Sequence, residues 1–372
     1  MKSYLGLVIL IVAMLLIQLA CSSGDFVPTH NEGLPLLVTS QGDQTVASFE
    51  ISSSGKLSPN GKAISTGANS IPTATIVVGS AAFVANGGTN DVARFTINGD
   101  GTLSAMSGNQ KAGMDPSALA LTHDRNHLLV ANYGDQTVSA FKISGTTLTP
   151  TATVSSGGGP MAFAVSPTGK YVYVANSLDG TISAYTFSDS SGTLTAMSLS
   201  PFSSLGSTPD ALAITPDGNF LYVANFGSNT IAAFSICTIK SVICPAADGR
   251  LVPFLSPTVL AGIGPRAMAM NPAGNSLFVA NQFSNQVAMY AIVPTFDLLT
   301  GLTFSLVKPN NPAFISTGDG PVSIAIPTGG AFLYIANSGS SSISSFNIDP
   351  AGLLLPDGDT ATGGQPSSLG PK

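Results

Sequence analysis

Hydrophobic and polar positions alternate along this chain in a pattern that repeats seven times. Each clear unit contains a short apolar stretch ending in Asn, and in that stretch both alternating faces are apolar and uncharged. A strand that is apolar on both faces is buried on both faces, whereas a strand in a half-exposed sheet alternates with polar residues. The copies are Leu37–Ser40 (degenerate), Phe83–Asn86, Leu129–Asn132, Tyr173–Asn176, Tyr222–Asn225, Phe278–Asn281 and Tyr334–Asn337.

The residues around each stretch complete a unit of four strands. A Pro-opened apolar segment such as Pro160–Val165 comes first, followed by a Pro-x-Gly turn such as Pro167–Gly169. After the Asn come a polar loop, an alternating strand such as Thr137–Ile143 and a last short strand. The stretches end 44 to 56 residues apart, which is typical of β-propeller blades. The pattern therefore predicts an all-β, seven-bladed β-propeller of four-stranded blades, with strands a to d running outward from the channel.

The first and last units predict how the ring closes. The first unit begins at strand b, with no Pro-opened segment before it, and Gly364–Leu369 resembles that missing segment. We expect this C-terminal strand to complete the first blade and so to hide a sheet edge. Residues 34–372 are then a single propeller domain.

The N-terminus has the features of an export signal. Lys2 precedes an apolar run from Tyr4 to Ala20, and Leu19-Ala20-Cys21 resembles the lipobox of bacterial lipoproteins, although Gln18 stands where that motif prefers Leu. The resemblance implies a signal peptide over 1–20, lipid attachment at Cys21 and a flexible tether over 21–33, with an uncleaved signal anchor as the alternative. Either form places the body outside the cytoplasm, in the cell envelope and tethered to a membrane.

Two further cysteines, Cys237 and Cys244, are seven residues apart. In an oxidising compartment such a pair closes a small loop as a disulfide. Metal ligation is the alternative, but no neighbouring His or Cys completes a site, and we predict no metal centre and no cofactor.

Charge limits the possible partners. The net charge is −6 and only 9% of residues are charged, so no basic stripe is available to follow a nucleic-acid backbone. We expect a monomer whose partner is a small molecule, a glycan or an envelope protein.

The repeat carries a family resemblance. Units with the order Pro, Pro-x-Gly, Tyr-Val-Ala-Asn and Thr-Ile-Ser-x-Phe resemble the YVTN repeats of bacterial surface propellers. They are also similar to the seven-bladed lactonase family, which includes 6-phosphogluconolactonase and fungal carboxymuconate cyclases. The resemblance covers nearly all of the chain after the N-terminal segment and implies the fold more strongly than an activity, because the repeated residues are structural.

Loops into strand a and loops between strands b and c lie on one face of such a propeller, which we take as the candidate binding face. Capping of turns is the alternative role for most of its Asp residues. The face displays Asp43, Asp91, Asp115, Asp135, Asp179, Asp210, Arg266 and Asp319, together with Tyr133, Phe226 and Phe283.

The residue after each strand-a Pro is predicted to ring the channel mouth. Only Asp210 and Arg266 are charged there, on adjacent blades. They either bind a polar ligand together or pair with each other, and an adjacent Arg is expected to lower the basicity of the carboxylate. The seven positions are Thr73, Ser117, Met161, Asp210, Arg266, Val322 and Ser367.

Two functions remain open at this point. Lactone opening requires a base and an oxyanion partner. The His, Arg and Glu of the resembling enzymes do not transfer, because neither Glu and none of the three His reaches the predicted mouth. The first hypothesis is therefore a non-catalytic propeller that binds a ligand or partner on its Asn/Asp-rich face. The second is a lactonase-type hydrolase of a neutral or cationic lactone, with Asp210 as base and Arg266 as oxyanion partner.

Overall fold

The computed structural model describes residues 35–241, 244–297 and 302–372, and all regular structure in these ranges is β-strand. Cys21, the signal peptide and the tether lie outside the described residues. None of the described residues forms a helix long and apolar enough to cross a membrane.

The strands follow one another in chain order, blade by blade. The first three blades contain β1 (Pro35–Ser40), β2 (Thr45–Ile51), β3 (Leu57–Pro59), β4 (Ile64–Ser65), β5 (Pro72–Val78), β6 (Ala81–Asn86), β7 (Asp91–Ile97), β8 (Leu103–Ala105), β9 (Gln110–Lys111), β10 (Pro116–Leu121), β11 (His127–Asn132), β12 (Thr137–Ser144) and β13 (Thr147–Ser155). The remaining strands are β14 (Pro160–Val165), β15 (Tyr171–Asn176), β16 (Thr181–Ser188), β17 (Thr193–Ala196), β18 (Phe202–Ser203), β19 (Pro209–Ile214), β20 (Phe220–Asn225), β21 (Thr230–Ile236), β22 (Leu251–Leu260), β23 (Pro265–Met270), β24 (Ser276–Asn281), β25 (Gln286–Asp297), β26 (Leu302–Ser316), β27 (Pro321–Ala325), β28 (Phe332–Asn337), β29 (Ser342–Ile348), β30 (Leu354–Ala361) and β31 (Pro366–Pro371).

These strands form seven antiparallel sheets, each with four strands in the order a, b, c and d, which confirms the predicted seven-bladed propeller. Short segments β4, β9 and β18 extend the outer edge of three of the sheets. Each innermost strand also contacts the innermost strands of both neighbouring blades, so the ring is continuous. From blade 1 to blade 7 the innermost strands are β31, β5, β10, β14, β19, β23 and β27.

The C-terminal strand closes the ring as predicted. β31 pairs antiparallel with β1, and Leu369 lies opposite Val38. The side chain of Leu369 is buried and packs in the apolar cluster between blades 7 and 1. Closure therefore gives the second strand of blade 1 the inner partner that this strand has in the other six blades.

The second strand of every blade explains why the core is built between blades. All six residues of each such strand are buried. Their side chains point alternately to the two neighbouring blades and enter seven separate apolar clusters, one at each blade interface. The repeated apolar stretch is thus a strand with two core faces.

The Asn that ends the stretch in six of the blades forms hydrogen bonds within its own blade. Asn176 is fully buried, and its Nδ2 donates to Thr181 Oγ1 at 3.0 Å and to Ser183 Oγ at 2.9 Å. Asn132 and Asn337 make the equivalent bonds to the next strand of their own blades. These side chains are structural caps and do not line a site.

Cys237 and Cys244 form a disulfide, with their Cα atoms 5.3 Å apart. It lies in the long loop between β21 and β22, and this loop also contacts blade 4. Tyr173 Oη donates to Gly249 O at 2.6 Å, and Tyr171 Oη donates to Ala247 O at 3.1 Å. The bridged loop therefore links blades 4 and 5 on the outside of their shared core.

Closure of the ring by β31 predicts that a Leu-to-Ala substitution lowers the free energy of unfolding more in this strand than at an exposed position. Leu369→Ala removes buried methyl groups from the blade 7–blade 1 cluster and should lower the free energy of unfolding by about 2–3 kcal/mol. Leu355→Ala, in exposed β30, should change it by less than about 0.5 kcal/mol. Chemical denaturation of both variants measures the difference, and equal effects would show that closure by β31 does not limit stability.

Candidate functional site

A cavity of about 790 Å³ opens at one end of the channel. All seven ring positions predicted from the sequence line it. The cause is a β-bulge in the innermost strand of each blade, directly after its Pro. Pro209 pairs with Asn225 and Ala211 pairs with Ala224, so Asp210 is the extra residue of the strand. A bulge re-aims the side chain of the extra residue, and here it turns that side chain toward the channel.

Three of these ring residues link neighbouring blades by hydrogen bonds. Their hydroxyl groups donate to the carbonyl of the Pro in the next innermost strand. Ser367 Oγ donates to Pro72 O at 2.7 Å, Thr73 Oγ1 to Pro116 O at 2.7 Å and Ser117 Oγ to Pro160 O at 2.6 Å. In these three blades the residue after the strand-a Pro therefore joins one blade to the next.

Asp210 and Arg266 occupy the same positions in blades 5 and 6 and form an ion pair. Arg266 Nη1 donates to Asp210 Oδ2 at 2.5 Å. The side chain of Asp210 is 2% exposed, whereas that of Arg266 is 33% exposed. Among the described residues, none donates a hydrogen bond to Asp210 Oδ1. The pair presents a cation to the cavity and holds one carboxylate oxygen beneath it.

Burial reverses the sequence expectation for the basicity of Asp210. Loss of solvent raises the pKa of this carboxyl above its ordinary value, although the charge and the hydrogen bond of Arg266 act in the opposite direction. The neighbouring Arg was visible in the sequence, but the degree of burial was not. A buried carboxylate with a raised pKa is a stronger base than an exposed one.

One aromatic ring contacts the cation, and a second ring packs against the first. Arg266 Cζ lies 5.7 Å from the centroid of the Phe226 ring, within the range of a cation–π contact. Phe226 packs edge-on against Phe283, with ring centroids 5.3 Å apart, and Phe283 is 65% exposed. The guanidinium is therefore held on one side by Asp210 and on another by an aromatic wall.

Other members of the predicted binding face differ in their positions. Asp115 and Tyr133 line the cavity, and no described residue donates a hydrogen bond to the carboxylate of Asp115. Asp135, Asp179 and Asp319 do not line it.

These three Asp residues stabilise loops. Asp135 Oδ2 accepts from the Met114 backbone N–H at 2.5 Å, Asp179 accepts from the backbone N–H of Gly158, and Asp319 Oδ1 accepts from Asn285 Nδ2 at 3.0 Å. Asp43 accepts from the backbone N–H of Gly364, and Asp91 accepts from the side-chain amides of Asn86 and Asn109. These five Asp residues therefore hold loop segments together.

A second ring of lining residues escaped the sequence analysis. The residue directly after the repeated stretch lines the cavity in six blades. The sequence analysis named Tyr133 and Phe226 but did not recognise that they occupy the same position of the repeat. In blade 6 the residue at this position is Gln282, which lines the cavity, whereas Phe283 lies behind Phe226. The six residues are Gln41, Tyr133, Ser177, Phe226, Gln282 and Ser338. Their constant offset from the stretch was the available signal.

The charged residues that line the cavity are Asp115, Asp210 and Arg266, so the described lining has one net negative charge. No group of three or more His, Cys, Asp or Glu side chains among the described residues is arranged to hold a metal ion. The polar part of the site consists otherwise of hydroxyl and amide groups.

The sequence profile described as "Lactonase, 7-bladed beta-propeller" matches residues 36–317. A comparison with curated proteins finds no significant match.

Solved structures share the fold at low identity. The periplasmic gluconolactonase of Pseudomonas aeruginosa is 21% identical, with a TM-score of 0.70 over 90% of this chain and 98% of that one. A Bacteroides fragilis protein proposed to be a 6-phosphogluconolactonase is 22% identical, with a TM-score of 0.71 over 92% and 98% of the two chains. Hydrazine synthase from Kuenenia stuttgartiensis is 19% identical, with a TM-score of 0.57 over 80% and 89%. At these identities the likeness establishes the fold alone.

The geometry of the ion pair predicts a pH-dependent stability change. A carboxyl whose pKa is raised by folding contributes stability that is lost as the pH rises through its folded pKa. Arg266→Gln removes the cation that opposes the rise in the pKa of Asp210, so the loss of stability with increasing pH should become larger. The variant should unfold nearly as the parent does at about pH 4 and be about 1–3 kcal/mol less stable at about pH 7, below the cost for a fully buried pair because Arg266 is partly exposed.

Thermal unfolding across this pH range measures the effect. Arg250→Gln is the matched control, since Arg250 pairs with Asp248 at 2.5 Å in an outer loop where both side chains are partly exposed. It should alter stability little at any pH. A deficit in Arg266→Gln that is independent of pH would contradict the raised pKa of Asp210.

Proposed function

Because the chain belongs to the family of seven-bladed lactonase β-propellers, we propose that it is a lactonase-type hydrolase that opens a small, uncharged lactone at the channel mouth. One observation carries the proposal. A buried carboxylate with a raised pKa is hydrogen-bonded to an arginine that is partly exposed in a cavity of about 790 Å³. This combination supplies a base and an oxyanion partner side by side.

The proposed reaction uses both members of the pair. Water attacks the carbonyl carbon of the lactone while Oδ1 of Asp210 accepts a proton from it, and the carbonyl oxygen becomes an oxyanion that Arg266 stabilises. The ring C–O bond then breaks, and the departing alkoxide takes the proton from Asp210. The product is the corresponding hydroxy acid, and the carboxylate is restored for the next turnover.

The charge of the site supports an uncharged substrate. Once Asp210 and Arg266 are paired, the remaining charged lining residue is Asp115, which is exposed at the mouth. A phosphorylated lactone would approach this carboxylate and meet a single arginine, whereas phosphate recognition normally uses several donors. Hydroxyl and amide groups such as Gln282 and Ser338 suit a polyhydroxylated or otherwise neutral lactone.

We also propose that this activity takes place in the cell envelope, with the chain attached to a membrane through lipidated Cys21. The sequence of residues 1–33 supports this location, since an apolar segment leads directly to a lipobox-like Leu-Ala-Cys.

A non-catalytic binding protein is the second candidate, and one observation favours it. Three other blades use the ring position to join neighbouring blades, and Asp210 is almost completely covered while it pairs with the next blade. In this case Asp210 holds Arg266 in place, and Arg266 binds a carbonyl or an anionic group of a ligand without turnover.

Hydrolysis by the purified full-length chain distinguishes the two candidates. Uncharged lactones such as γ-butyrolactone and glucono-δ-lactone are compared with a phosphorylated lactone. We expect turnover of an uncharged lactone, a loss of kcat of about 10²–10⁴-fold in Asp210→Asn and a loss of about 10²–10³-fold in Arg266→Gln. Asp248→Asn and Arg250→Gln alter the other ion pair and should retain full activity.

Each alternative result has a definite meaning. No turnover above the uncatalysed rate for any lactone would overturn the hydrolase and support the binding candidate. Preferred hydrolysis of the phosphorylated lactone would overturn the proposed substrate class. Activity that persists in both site variants would place the reaction elsewhere on the chain.

A further inference from the structure

A second cavity, of about 480 Å³, lies at the opposite end of the channel, where turns join strands a and b in blades 2 to 7. Its lining is mainly apolar, with one histidine and one arginine. The lining residues are Thr75, Ile76, Val77, Leu121, His123, Arg125, Leu369, Gly370 and Pro371.

This cavity exists because one turn is short. β5 ends at Val78 and β6 begins at Ala81, so only two residues join strands a and b in blade 2. A Cβ atom at Gly79 would meet nothing within 4 Å, whereas one at Gly218 or Gly274 would press on the Pro of the preceding blade. The space that a full turn of blade 2 would occupy is left open beside blade 3.

The turn of blade 3 departs from the repeat at the edge of this space. Blades 4 to 7 carry Pro-x-Gly there, but blade 3 carries His123-Asp124-Arg125. The N–H of Arg125 donates to Thr122 O at 2.9 Å, which is the same turn bond that Gly169 makes to Ser166. Arg125 therefore occupies the glycine position.

That position has an unfavourable backbone conformation for arginine. Arg125 has a φ of 58°, and the equivalent Gly169 has a φ of 73°. Residues other than glycine adopt this region at a cost, and such strain clusters at functional sites. The chain keeps a strained arginine where its other blades use glycine.

The polar groups around the cavity have unused bonding capacity. Arg125 Nη2 donates to Val77 O at 2.9 Å, which occupies one of the five donor hydrogens of the guanidinium. The carboxylate between the two basic residues serves its own turn, because Asp124 Oδ1 accepts from Thr122 Oγ1 at 2.6 Å and from the Asn126 backbone N–H at 3.1 Å. Asp124 does not line the cavity.

We propose that this cavity binds a small organic carboxylate with an apolar body. Arg125 and His123 hold the carboxylate at the rim, where a guanidinium fork matches its two oxygens. Ile76, Val77 and Leu121 cover the apolar body. The linings of this cavity and of the channel mouth share Thr75 and Leu369 but no charged residue, and the proposal does not depend on the proposed hydrolase.

Titration of the full-length chain with benzoate tests the proposal, with benzamide as the uncharged counterpart. The imidazole proton signals of His123 in NMR spectra report on the site directly, because the chain has three histidines and His123→Gln identifies the signal. We expect benzoate to shift this signal with a saturable dependence and benzamide to bind at least tenfold more weakly.

Two variants remove the basic groups by different routes. His123→Pro/Arg125→Gly restores the turn of the other blades and relieves the strained φ, so the melting temperature should be retained while benzoate affinity, measured by calorimetry, falls at least tenfold. Arg125→Gln removes only the charge and should weaken benzoate binding to the same extent. Lys170→Gln removes a cation from the adjacent turn, outside the cavity lining, and should leave binding unchanged.

Four results would overturn the proposal. If Lys170→Gln weakens benzoate binding as much as Arg125→Gln does, the attraction is an unspecific one to positive charge. If Arg266→Gln abolishes binding and the Arg125 variants do not, benzoate binds in the other cavity. If benzamide binds as tightly as benzoate, the carboxylate has no role, and if benzoate does not shift the His123 signal, it does not bind at this site.

Discussion

Burial of the second strand of each blade on both faces is the constraint from which the rest of the architecture follows. Such a strand needs an apolar partner on each side, and a single blade offers none. Neighbouring blades supply both, so the core is divided into seven slabs, each shared by two blades. A row of blades would still expose one apolar face at each end, and only a closed ring buries them all. The pairing of β31 with β1 is the means of closure.

Because the second strands form the core, the residues of the innermost strands can differ from blade to blade. The repeated stretch and its Asn fix each blade, while the bulge after the strand-a Pro turns one side chain per blade toward the channel. Because the bulge is the same in every blade, the residue at that position can be a hydroxyl that links blades or a charged group without altering the fold. The channel mouth thus acquires its chemistry one blade at a time.

The sequence allowed the fold, the closure and the ring around the mouth to be predicted, because each depends on local period and on offsets within the repeat. The basicity of Asp210 was predicted with the wrong sign, since it is the balance between a visible neighbour and a degree of burial that only the folded ring determines. The second ring, with Gln41 and Gln282, was missed although its offset is constant. The loop Asp residues were expected to cap their own turns, but most of the groups that donate to them lie in other loops and are not evident from the sequence.

Because the blades repeat within one chain, each residue can be compared with the residues at the equivalent position of other blades. A residue that differs in chemistry from its equivalents in other blades is free of the requirement that fixes them, or overrides it. Asp210 and Arg266 depart in this way at one mouth, and His123 and Arg125 at the other, and each pair lines a cavity. The chain has only 13 Lys and Arg residues. Basic side chains that serve solubility alone are expected on the outer strands, away from the two ends of the channel. The positions of Arg266 and Arg125 at cavities, one against a buried carboxylate and one in a strained backbone conformation, are better explained by ligand recognition at both ends.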